Sequence, residues 1–155
     1  MQDSRERTFL RGVLQNDMSA VVFCESLFRI SQTLDDLIDR DKPVADSTIH
    51  HAFFLALIDL PSNPFYRAND VHLRAMMASA LQDWKDSVDL EREGDRHGKT
   101  LAYVLRDQLT SVVVQVAGIV GGYVWMQEVS VEIRRFFHDE TLVDYIDKLN
   151  TGDRS

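Results

Sequence analysis

The segment LDDLID sets three aspartates close together, Asp35, Asp36 and Asp39. On a helix, residues three and four apart share a face, so Asp35 and Asp36 both neighbour Asp39. Glu25 and Gln32 follow a similar flank toward the N-terminus, and Asp41 extends the run. Crowded carboxylates repel one another unless a cation or a basic side chain compensates. Magnesium prefers oxygen ligands and often bridges to phosphate oxygens while keeping several waters. The cluster suits that task. The competing reading is a solvated helix face, with Arg29 and Arg40 as counter-charges. These acids also fall near the C-terminal end of their helix, where the dipole disfavours them.

A second acidic segment reads DWKDSVDLE, with Asp83, Ser87 and Glu91 at four-residue intervals. Helical projection turns Ser87 and Glu91 toward the apolar side, beside Ala80 and Trp84, and puts Asp83 at its border. A buried carboxylate needs a partner, and two carboxylates with a hydroxyl would hold a cation. Alternatively the helix ends by Val88, which leaves Glu91 in water. Arg92, Arg96 and Lys99 follow, with His97 among them. They form a candidate phosphate-binding set at a helix mouth. The alternative for these residues is a solvated interhelix turn. If the two clusters converge, Asp35, Asp36 and Asp39 face Asp83, Ser87 and Glu91 across one polar cavity.

LDDLID resembles the aspartate-rich motif of class I isoprenoid and terpene synthases. DWKDSVDLE resembles the second metal motif of the same family. The resemblance implies an all-helical fold and magnesium held around a substrate diphosphate. It assigns Asp35, Asp36 and Asp39 to one metal motif, and Asp83, Ser87 and Glu91 to the other. The chain is also similar, in length and charge, to small all-helical nucleotide pyrophosphatases. Those proteins bind magnesium on paired acidic helices, hydrolyse nucleoside triphosphates and are often oligomers.

The elements that must position these residues are helices. A short helix is expected over 4–15, with Phe9, Leu10, Val13 and Leu14 on one side and Asn16 and Asp17 as its break or the next cap. A long amphipathic helix is expected over 18–40, with Ala20, Phe23, Cys24, Leu27, Ile30, Leu34, Leu37 and Ile38 on its apolar face. Pro43 ends it. The next helix spans 47–57, capped by Asp46 or Ser47, and LPSNPF breaks the chain through Pro61 and Pro64. A third major helix runs 70–92 with Asp70 as cap. A fourth runs 99–126, where Gly118, Gly121 and Gly122 allow a bend or close packing. Two further pieces cover 129–137 and 140–149. The expected architecture is all-α, a compact antiparallel helical bundle. Residues 1–149 form one domain and 150–155 a flexible tail.

The chain has 155 residues, a 45% hydrophobic fraction and a net charge of -8. That charge argues against a nucleic-acid backbone as partner. Cys24, the single cysteine, sits in the apolar run VVFCESLF and reads as core. No signal-like or membrane-length apolar stretch stands out, so the expected location is cytoplasmic. His50, His51, His72 and His138 show no zinc-ligand spacing. Arg106 and Asp107 interrupt an apolar pattern, which fits ligand support or an ion pair. Met76, Met77, Tyr123 and Trp125 motivate a homo-oligomer, most simply a homodimer. Two functions stay open. One is a magnesium-dependent enzyme acting on a diphosphate or nucleotide. The other is a non-enzymatic helical interaction or accessory protein.

Overall fold

The computed structural model describes residues 4–40 and 42–151. It shows an all-α antiparallel bundle, and no strand occurs among the described residues. Helix α1 (Ser4–Val13) leads into a tight reversal in which Gln15 and Asn16 take φ values of 53° and 60°. Helix α2 (Met18–Asp39) starts where the Asp17 side chain accepts the Ala20 amide at 3.1 Å. It stops at Arg40, whose left-handed backbone returns its amide to the Asp36 carbonyl. The N-terminal half of α2 is buried as its pattern predicts, through Ala20, Phe23, Cys24 and Leu27. Leu37 and Ile38, expected on the same face, are exposed instead.

Helix α3 (Asp46–Phe54) begins without a side-chain cap, because Ala45 occupies that position. It does not end at Leu57. It widens into one π turn (Leu55–Asp59) and continues as α4 (Leu60–Ser62). The Leu60 amide bonds the Leu55 carbonyl, five residues back. This wide turn relieves the clash that a proline ring makes in a regular helix, so Pro61 is accommodated rather than breaking the chain. The break comes at Asn63. Its side-chain oxygen caps Tyr66 and its amide donates to the Ser19 carbonyl at 3.0 Å.

Helix α5 (Pro64–Glu93) therefore begins six residues before the expected start. The expected boundary coincides with a kink at Asn69 (φ -132°), whose side chain bonds the Phe65 carbonyl. Gly94, at φ 87°, ends the helix in the left-handed region.

The expected fourth helix is three segments. Helix α6 (Arg96–Leu105) is capped by Asp95 on the Gly98 amide. A turn at 106–108 precedes α7 (Leu109–Gly121), and Gly122 (φ 92°, ψ 174°) reverses the chain into α8 (Tyr123–Phe137). The expected bend is thus a full hairpin. A Cβ on Gly121 would overlap the Trp125 ring, so the bare glycine lets α8 close onto α7. Residues Arg96–Gly121 together are long and apolar enough to cross a membrane by length and composition, although the turn divides them here.

Helix α9 (Leu142–Thr151) takes in Asn150 and Thr151, which were expected in the tail. Residues 152–155 of that tail, like Asp41, lie outside the described residues. Val112, Val113, Val116 and Ala117 of α7 sit at the centre of the main core, with α2, α5 and α8 around them. A smaller core joins Ala102 of α6 to Tyr145 and Ile146 of α9.

Candidate functional site

The three aspartates of α2 have three different surroundings. Asp36 accepts a hydrogen bond from the Gln32 amide at 3.0 Å, on the exposed side. Asp35 lies within electrostatic reach of Arg106 and helps to raise its pKa. Only Asp39 faces a cavity shared with the second acidic segment. That cavity holds about 260 Å³ and is lined by Asp39, Glu91, Arg92 and Lys99, with Val88, Gly94 and Leu149. The packing of α5 against α6 explains the meeting, since Gly94 folds Lys99 back beside Glu91.

On α5 the three candidates also separate. Ser87 is buried, and its hydroxyl donates to the Trp84 carbonyl at 2.6 Å. That bond within one helix turn uses its proton locally. Asp83 stays at the half-exposed border. Glu91 accepts a hydrogen bond from the Tyr145 hydroxyl. Of the expected cavity, the structure unites Asp39 with Glu91 and leaves Asp35, Asp36, Asp83 and Ser87 outside its lining. Among the described residues, no group of three or more His, Cys, Asp or Glu side chains is placed to hold a metal ion.

The basic candidates divide likewise. Arg92 and Lys99 reach the cavity, and Lys99 also donates to the Asn150 side chain at 3.0 Å. Arg96 is exposed at the first position of α6.

Behind the cavity lies a polar network that the acidic spacing gave no sign of. Arg106 donates to Glu140 at 2.8 Å and stacks over the Tyr145 ring, 5.0 Å from its centre. Burial alone would lower the Arg106 pKa. Asp107, Glu140, Tyr145 and Asp35 outweigh that effect, and the net shift is upward. Glu140 also receives Lys148 at 2.8 Å, and its carbonyl accepts the Tyr103 hydroxyl. Asp107 pairs with His138 at 3.3 Å. The one advance signal was Arg106 with Asp107 interrupting an apolar pattern. Nothing in the spacing marked Glu140 or Tyr145.

Glu25, which prolonged the acidic flank in the sequence, is buried and held by both nitrogens of a forked pair with Arg7, at 2.7 and 2.8 Å. Arg29 bonds Glu6 at 3.2 Å. These pairs tie α1 to α2, so part of the acidic flank neutralises a neighbouring helix. Cys24 is buried beside them. Burial, reinforced by Glu25 and Glu6, pushes its thiol pKa far upward, and it stays protonated in the core.

A different surface is apolar. Along α3, its π turn and the start of α4, Ala52, Leu55 and Leu60 are buried, while the outward face carries Phe53, Phe54, Leu57 and Ile58. Their exposures are 61%, 47%, 67% and 50%. The residues expected to drive assembly lie elsewhere. Met76, Met77 and Trp125 pack against the main core, and the Trp125 indole donates to the Val13 carbonyl at 2.8 Å. Tyr123 alone of those four is strongly exposed.

The chain matches no family model, no curated protein and no solved structure.

Proposed function

We propose that this chain is a non-enzymatic interaction protein, a helical scaffold that docks another helical chain against α3. The observation that carries this reading is the run of Phe53, Phe54, Leu57 and Ile58, four large apolar side chains exposed on one helix face. Single exposed apolar residues are ordinary, but a contiguous patch of aromatic and branched side chains marks a contact surface. An amphipathic helix is the natural partner for such a surface. The test places a photo-crosslinking side chain at Phe54 in living cells, with Val143 as an exposed apolar control. A discrete protein adduct from position 54 and none from 143 is expected. Absence of any adduct at 54 overturns the reading.

A second reading rests on the cavity. Asp39, Glu91, Arg92 and Lys99 come from three helices, α2, α5 and α6, and line one recess. Two carboxylates beside two cations suit a small magnesium–diphosphate ligand, with the metal on the acids and phosphate oxygens on the bases. In an enzyme, the cation would neutralise phosphate charge as the leaving group departs. Calorimetric titration with magnesium and pyrophosphate together tests this. Saturable binding by the wild type, much weakened by Glu91→Gln, is expected. Equal negligible heats from both proteins remove this reading and leave the first intact.

A further inference from the structure

We propose that the partner on the α3 face is a second copy of this chain, packed antiparallel about a two-fold axis level with Leu55. The inference rests on α3 being a docking surface and adds the occupant and its geometry.

The π turn matters here. Two turns of α-helix take about seven residues, and one π turn adds about one more. Positions eight apart across this segment therefore align. His51 and Asp59 are eight apart, both exposed, and lie along the same flank of the apolar stripe. A two-fold axis perpendicular to two antiparallel helices sets each flank against the same flank of the other copy. With the axis at Leu55, His51 of one copy meets Asp59 of the other, twice by symmetry. Phe53 meets Leu57 in the same way, and the two Phe54 rings meet beside the axis. The stripe is thus complementary to itself in apolar content and in hydrogen bonding, and also in charge where His51 is protonated. A parallel copy would instead set this flank against the opposite flank, and His51 would no longer meet Asp59.

The exposed parts of the four apolar side chains amount to on the order of 400 Å² per copy. A standard interface takes roughly 800 Å² per partner, so the flanking polar residues must supply the rest. The area fits a dimer that dissociates rather than a permanent one.

The test is sedimentation of the full chain across the micromolar range, with helicity checked by circular dichroism. The expected wild-type result is reversible association to twice 17.8 kDa. Leu57→Glu should stay helical and monomeric. His51→Asp should raise the dissociation constant by roughly fivefold by facing Asp59 with a like charge. Combining it with Asp59→His should restore association. A wild-type monomer throughout, or a dimer indifferent to Leu57→Glu and His51→Asp, overturns the proposal. The crosslink at position 54 separates the two levels. An adduct with a different chain overturns self-pairing and keeps the docking reading, whereas no adduct at all removes both.

Discussion

Tyr145 of α9 donates its hydroxyl to the carboxylate of Glu91 on α5 while its ring lies under the Arg106 guanidinium. One fully buried side chain thereby joins the C-terminal helix to the wall of the charged cavity. A carboxylate that looks available for a cation in the sequence is already engaged from below.

Tyr145→Phe should keep the ring packing and remove only the hydroxyl. The loss expected in urea unfolding is about 1.5–3 kcal/mol, the range for a hydrogen bond to a charged acceptor. Tyr145→Ala should cost about 3–5 kcal/mol by opening a cavity in the smaller core. Equal stabilities for wild type and Tyr145→Phe would show that the bond contributes nothing.

The pair between Arg7 and buried Glu25 should be revealed by asymmetry. Arg7→Met alone strands a buried carboxylate and should lower the melting temperature. Adding Glu25→Leu should recover much of that loss, because it removes the stranded buried carboxylate. Differential scanning fluorimetry of the two variants checks this. A double variant less stable than Arg7→Met would contradict it.

Asp107 gives the chain a pH dependence with a defined sign. Burial is the largest influence and raises its pKa above the usual 3.8. Arg106 and His138 pull it down, and Glu140 raises it again. A raised folded-state pKa means that the folded chain holds the proton more tightly than the unfolded chain. The resulting stabilisation is fully present below 3.8 and is lost as pH rises through the elevated folded value. Asp107→Asn lacks this term, so its melting temperature should gain on the wild type between about pH 3 and about pH 7. A constant or shrinking difference over that window would reverse the assignment.

The glycines separate by what surrounds them. Gly121→Ala must displace the Trp125 ring, whose indole is anchored on Val13, and should destabilise by about 1–3 kcal/mol. Gly12→Ala meets nothing within 4 Å in a helix, and should be neutral or stabilising by up to about 1 kcal/mol. Chemical denaturation of both variants decides the order.

The helical class, the face of α1 and that of the N-terminal half of α2 were legible because their apolar spacing is local, whereas Leu37 and Ile38 continue the spacing but stay exposed. Asp17 was readable as a cap for the same reason. The break expected in LPSNPF falls within it, at Asn63, whereas Pro61 is absorbed because a proline's effect depends on the turn before it, and only the fold shows that turn to be wide. The single helix expected over 99–126 is interrupted at Arg106 and Gly122, where valine periodicity carries on through a turn and then a reversal of direction. Within the candidate site, Asp39, Glu91, Arg92 and Lys99 were identified as individual residues. Their meeting, and the nearness of Asp35 to Arg106, depend on long-range packing. Tyr145 and Glu140 had no local signature, since each acts on residues more than thirty positions away.

The two cores differ in apolar content. Ala102, Tyr145 and Ile146 form a small cluster, whereas the main one extends through α1, α2, α5, α7 and α8. Local opening follows the weaker cluster. Amide protons of α9 and the facing turns of α6 should therefore exchange with solvent through openings that leave the central helices closed. Proteases would reach this C-terminal segment before the rest of the chain unfolds, so the lifetime of the intact polypeptide would be set here, not by the stability of its centre.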